Sequence, residues 1–201
     1  MTENGPVRGD VNEVEDGPEY DLDFREHPER YRHTPDERGA FKIEPYKSEL
    51  LPLWGVATLE DAEDGAEAIY ERYREYREAD RREASTGASG ETASREADRR
   101  EASTRASGET ASREAEDFVG MDMARKYLQM GWTRAMRYAK YPGGNKYRTD
   151  DTGDRVEREP QEWYDDEKRE IALVYREYLD RVREDEAYER AKREHRERYG
   201  E

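Results

Sequence analysis

One helical pattern dominates the chain. From Asp117 to Tyr141, at about 100° per residue, Phe118, Met121, Ala124, Leu128, Gly131, Trp132, Ala135, Met136 and Ala139 fall along one side. Lys126, Arg134, Arg137 and Lys140 fall on the other, with Met123, Tyr127 and Met130 nearby. The pattern predicts an amphipathic helix with an apolar face and a basic, partly aromatic face. Gly131 is its weak point, because a mid-helix glycine costs about 1 kcal/mol against alanine. If the helix splits there, with Thr133 near the second start, the single basic face is lost. Pro142 ends the pattern, since it has no N–H and disfavours helical geometry at Tyr141. Gly143-Gly144-Asn145 then suits a tight turn.

The stretch matters because of the charge around it. From Met121 to Arg148, Arg125, Lys126, Arg134, Arg137, Lys140, Lys146 and Arg148 oppose Asp122 alone, in a chain whose formal net charge is −16. Three readings follow. The basic side is the solvated face of a core helix, or it binds an anionic partner, or it forms a seam with the protein's own acidic segments.

Only 32% of the residues are hydrophobic and 44% are charged, which is thin for a large core in 201 residues. One domain is expected, with part of the chain outside it. The 15 tyrosines supply apolar area that aliphatic residues would otherwise provide. Asp and Glu number 52 against 36 Lys and Arg, and only 7 of those 36 are lysines. Acidic excess with little lysine points to a salt-rich cytosol, as in a halophilic archaeon; the alternative is an ordinary acidic protein from a GC-rich genome. There is no cysteine, which excludes thiol catalysis, cysteine metal sites and disulfides. No apolar signal core and no run of about 20 apolar residues is present, so a cytoplasmic protein without a membrane span is expected.

Residues 1–20 are expected to be a disordered acidic tail. In residues 21–76, Tyr31–His33 and Ala40–Ile43 suggest a small β-hairpin turning at Thr34–Gly39. Leu50, Leu51, Leu53 and Trp54 suggest a core plug. Thr58 is a good N-cap for a helix to Tyr76, whose Leu59, Ala62, Ala66, Ile69, Tyr70, Tyr73 and Tyr76 recur at helical spacing. Residues 77–116 hold an 18-residue repeat: READRREASTGASGETAS at Arg77–Ser94 and READRREASTRASGETAS at Arg95–Ser112 differ only at Gly87 and Arg105. READRREA can form helix and the remainder should break it, so an insert between two core helices is expected. In residues 117–201, Thr149–Glu157 reads as a polar loop. Pro160 suits the start of a helix running to about Arg183 along Trp163, Ile171, Val174, Tyr175, Tyr178 and Val182. Asp185 suits the cap of a last helix carrying Tyr188, Ala191, His195 and Tyr199. The expected fold is mainly α, a helical domain with a small hairpin near its start.

Three blocks, DFREHPERYR (Asp23–Arg32), IEPYKSELLPLW (Ile43–Trp54) and DFVGMDMARKYLQMGWTRAMRYAKYPGGNKY (Asp117–Tyr147), together resemble the domain-of-unknown-function family numbered 4385, as does the closing EHRERYG (Glu194–Gly200). The resemblance covers Asp21–Tyr76 and Asp117–Gly200. It implies that the tail and the repeats are additions, and it carries no catalytic assignment.

Chemistry is sparse. His27 and His33 are six apart, which is no standard zinc spacing, and no G-x-S-x-G or H-E-x-x-H motif occurs. No metal or cofactor is expected. Gly143-Gly144-Asn145-Lys146 fails the phosphate-loop pattern but offers backbone N–H groups and Lys146 to a phosphate; otherwise it is a plain turn. The lead expectation is a non-enzymatic module contacting nucleic acid or another anion through Lys126, Arg134, Arg137, Lys140, Lys146 and Arg148, with Tyr127, Tyr138 or Tyr141 stacking on bases. The alternatives are a structural or adaptor protein that self-associates, and an enzyme whose pocket gathers His27 or His33 with Tyr46, Lys47 and a carboxylate.

Overall fold

A computed structural model describes residues 22–86 and 117–200, with residues 79–86 as backbone only. The expectations for the acidic tail and for most of the repeat insert lie outside these residues. The element order is α1 (Tyr46–Leu50), α2 (Leu59–Thr86), α3 (Phe118–Lys140), β1 (Tyr147–Thr149), β2 (Arg155–Glu157), α4 (Asp166–Arg183) and α5 (Glu186–Tyr199). Three helices, α2, α3 and α4, pack on one another, with the most extensive contact between α3 and α4. α5 and the segment before α2 close over the first half of α3.

Helix ends follow the local chemistry. At the start of α2, the Thr58 hydroxyl accepts from Asp61 N at 3.1 Å while Asp61 Oδ2 accepts from Thr58 N at 3.1 Å, a reciprocal box that satisfies two amides. Asp117, Asp165 and Asp185 cap α3, α4 and α5, accepting from Gly120 N, Lys168 N and Ala187 N. α2 continues to Thr86, ten residues past Tyr76 and into the first repeat copy, as READRREA allows.

α3 is one continuous helix, and Gly131 is the reason it sits where it does. A Cβ there would lie 2.4 Å from Tyr175 Cδ1 of α4. The Tyr175 ring therefore lies flat on the α3 backbone, while its hydroxyl donates to Gly55 O at 2.6 Å. Burial pushes the Tyr175 phenol up to about 12.

The small sheet is present but later in the chain than the N-terminal hairpin expected at Tyr31–His33 and Ala40–Ile43. That region is irregular, tied by a bridge between Asp23 and Glu44. Its carbonyls are used differently: side chains of α3 take Thr34 O, Pro35 O, Arg38 O and Ala40 O, so no strand partner is needed. Thr149–Glu157, expected as a polar loop, instead turns an antiparallel pair with Tyr147 opposite Glu157 and Thr149 opposite Arg155. Asp150 Oδ1 accepts from Thr152 N, Thr152 Oγ1 and Asp154 N, which closes that turn. α4 also begins later than Pro160. Residues 161–165 cap the open end of α3, where Gln161 N donates to Lys140 O and Tyr164 N to Ala139 O. Trp163 is consequently 43% exposed rather than on the core face.

The core is built with tyrosines whose rings are buried and whose hydroxyls end on carboxylates. Tyr46 donates to Asp117 at 2.7 Å, Tyr76 to Glu49 at 2.6 Å, Tyr73 to Asp185 at 2.7 Å and Tyr188 to Asp122 at 2.6 Å; Tyr31 also donates to Asp122. Burial first, then the adjacent carboxylate, pushes all five phenols well above their ordinary 10.0.

Two outcomes follow. Gly131→Ala should lower stability by about 1–3 kcal/mol through overpacking on Tyr175, although helix propensity alone favours alanine; urea unfolding gives the sign. Raised phenols stabilise the fold fully below their unfolded value, and that stability is lost as pH rises through their higher folded values. In an alkaline titration, phenolate absorbance should therefore appear in two phases, with the second coinciding with loss of helical circular dichroism above pH of about 10.

Candidate anion-binding cleft

The basic residues of α3 divide into two groups with different environments. In its first half, every residue from Phe118 to Leu128 is buried, so no solvated basic face exists there. Asp122 is fully buried. Its carboxylate receives Tyr31, Tyr188 at 2.6 Å and Arg125 Nε at 2.6 Å, and His33 Nδ1 lies 3.2 Å away. Burial alone would push this acid up. Hydrogen bonds from His33 and Arg125, and the charge of Arg125, outweigh burial and hold it well below the usual carboxylate range.

Arg125 and Lys126 then reach outward from Asp122 to the covering loop. Arg125 donates to Thr34 O at 2.9 Å and Pro35 O at 3.2 Å; Lys126 Nζ donates to Arg38 O at 2.7 Å and Thr34 Oγ1 at 3.0 Å. Lys126 is 1% exposed and burial lowers its ammonium from the usual value. Lys126 thus belongs to an internal polar cluster rather than to an anion-binding face. Tyr127 is equally internal, donating to Ala40 O at 2.9 Å.

The second half of α3 is different. Arg137, Lys146, Arg148 and Arg155 line one open cleft with Gly144, Asn145, Tyr147 and Thr149, with a volume of about 490 Å³. The lining holds four cations and no acid. Arg137 comes from the last turn of α3 and the others from the hairpin. The two parts are held together by a turn in which Gly143 and Gly144 have φ of 60° and 71°. Gly144 is required twice, because a Cβ would also lie 2.9 Å from the Tyr138 ring. Gly144 N and Asn145 N donate to Tyr141 O and Pro142 O. Those amides belong to the turn, so the segment offers an anion the Lys146 side chain rather than a backbone cradle. Arg158 N closes the hairpin base on Lys146 O at 2.7 Å.

Of the six cations expected at a binding face, three, Arg137, Lys146 and Arg148, come together in the cleft. Arg134 is exposed but lies against the rings of Trp54 and Tyr138, at 6.0 and 5.9 Å. Lys140 is half-buried outside the cleft lining, and Lys126 is inside. Tyr138 packs on Gly144 and Tyr141 is 8% exposed, so the tyrosine presented to the cleft is Tyr147, 42% exposed. Tyr147 and Arg155 were not expected there. The signal for both is the short alternation either side of Asp150–Asp154, where Gly153 and three acids make a turn.

The residues of the enzyme alternative separate. His27 faces Glu29, His33 faces Asp122, Tyr46 faces Asp117 and Lys47 faces Glu44. Among the described residues, no group of three or more His, Asp or Glu is placed to hold a metal ion, and no helix is long and apolar enough to cross a membrane.

Fold and site together define a tyrosine-rich helical protein with a cationic surface cleft beside a small hairpin. Residues 14–84 and 95–198 match the family described as Domain of unknown function (DUF4385), and the chain belongs to that family. The match runs through most of the repeat region and is interrupted between residues 84 and 95. No curated protein and no solved structure matches the chain.

Removing one member of the buried cluster should leave opposite charges unpaired. Asp122→Asn is expected to cost about 3–5 kcal/mol, measured by urea unfolding at neutral pH. The depressed acid stabilises the fold above the unfolded Asp value of about 4 and that contribution is lost as pH falls through its lower folded value. The stability gap between wild type and Asp122→Asn should therefore narrow on acidification below that range; a constant gap would contradict the assignment.

Proposed function

We propose that the protein is a non-enzymatic module that binds an anionic partner, nucleic acid or another phosphate, through the cleft of Arg137, Lys146, Arg148 and Arg155. The observation that carries this reading is that four cations, and no acid, are among the residues lining one open surface cleft, in a chain of net charge −16. Such a cluster repels itself, and an anion seated in it relieves that repulsion. Among the described residues, the ion pairs run through side chains other than Arg137, Lys146 and Arg148. Their neighbours within the protein leave the charge to a partner. We read the acidic, lysine-poor composition as that of a cytoplasmic protein from a halophile, where electrostatic attraction is heavily screened.

The test is a fluorescence-anisotropy titration of labelled single-stranded DNA from low to molar potassium chloride. Arg137→Glu/Lys146→Glu/Arg148→Glu is the variant of choice, because all three side chains are exposed and the Asp122 cluster is untouched. Wild type should bind at low salt, and the variant should bind at least about tenfold more weakly, with the slope of log affinity against log salt reduced by about 0.7 per lost phosphate contact. Absence of wild-type binding to DNA, RNA and inorganic polyphosphate at low salt, or equal binding by the variant, would overturn the reading.

A further inference from the structure

The cleft contains more than charge. Tyr147 lines it, is 42% exposed, and carries the Arg155 guanidinium 4.0 Å from its ring centre. The ring is held on a closed hairpin, with its turn locked by Asp150 and its base tied by Arg158 N to Lys146 O. An exposed ring on so short a strand does nothing for the core. It is an aromatic surface presented beside a group of cations.

Resting on the anion-binding reading above, we propose that the cleft takes a nucleotide unit, a phosphate joined to an aromatic base. The phosphate meets Arg137, Lys146 and Arg148, and the base stacks on the face of Tyr147 that Arg155 leaves free. Two observations favour this over a bare phosphate, and the salt-rich cell proposed above adds a third argument. A volume of about 490 Å³ is that of a small-molecule cleft rather than of a single tetrahedral ion. The cations include three arginines, whose planar groups suit both phosphate and ring faces. In a salt-rich cell the screening length falls to about 3 Å at molar salt, so affinity from charge alone collapses, whereas stacking on a ring does not depend on salt in this way. A concave recess also favours an unstacked base over a duplex, whose bases already stack on one another.

The same chemistry is offered by a free nucleotide and by a single strand, and the experiment separates them. Binding is measured for a nucleoside triphosphate, a ten-nucleotide single strand of DNA and of RNA, a DNA duplex and inorganic polyphosphate, each at low and molar potassium chloride. The proteins are wild type, Tyr147→Ala and Tyr147→Phe, each checked by thermal melting. Base-containing ligands should bind wild type more tightly than polyphosphate and persist at molar salt. Tyr147→Ala should weaken them about tenfold while leaving polyphosphate unchanged, and Tyr147→Phe should restore them. Equal affinity for the triphosphate and the strand would assign a free nucleotide; preference for the strand would assign single-stranded nucleic acid. Preference for the duplex, or no effect of Tyr147→Ala, would overturn the stacking proposal while leaving anion binding standing. No binding of any ligand would overturn both.

Discussion

The fold depends on keeping one carboxylate ionised where water cannot reach it. Asp122 is fully buried on the helix that the rest of the molecule surrounds. An isolated charge in such a place would be expensive enough to unfold a small domain. Tyr31 comes from the covering loop, Tyr188 from α5 and Arg125 from the next turn of α3, so satisfying Asp122 requires three separate parts of the chain to arrive together. Arg125 and Lys126 pass the constraint on, because their remaining donors need carbonyls, and residues 34–38 supply them. An irregular loop is thereby held in place by side chains instead of by a sheet.

The same device recurs around the core. A chain with 32% hydrophobic residues obtains its buried area from tyrosine rings and then disposes of the hydroxyls on Asp117, Glu49, Asp185 and Asp122. Arg25 and Arg77 complete two of these groups, Arg25 on Glu49 at 2.8 Å and Arg77 on Asp185 at 2.9 Å. Acidic residues, abundant in the composition, are thus part of the packing rather than only its solvated surface. The acids that cap helices α3 and α5, Asp117 and Asp185, are also tyrosine acceptors, so helix ends and core contacts are fixed by the same side chains.

This architecture explains which parts were readable in advance. The apolar spacings of α2 and α5 and the caps Thr58 and Asp185 were legible because each is local. Gly131 was legible as an anomaly, but its purpose lies in the Tyr175 ring from a helix forty-odd positions away. The inward turn of Lys126 was hidden because helical periodicity assigns a side by angle, and here both sides of the first half of α3 are covered. The strands are hard to place from sequence because each has three residues, too few for alternation to stand out. Of the six cations anticipated, Arg137, Lys146 and Arg148 line one cleft; Tyr147 lies between two of them in sequence, while Arg155 joins them only through pairing across the hairpin.

Division of α3 into a sealed acidic-centred half and a half whose cations reach the surface gives the molecule its plan: one end holds the fold together, and the other is the end we propose for an anionic partner. Amide chemical-shift mapping of the uniformly labelled protein with a single-stranded oligonucleotide tests that division most directly. The account predicts saturable shifts confined to Arg137, Gly144–Thr149 and Arg155, with Asp122, Arg125, Lys126 and Thr34–Arg38 unmoved. Shifts centred on the Asp122 cluster, or on the Arg25, Glu49 and Asp117 group at the opposite end of the helix, would contradict it.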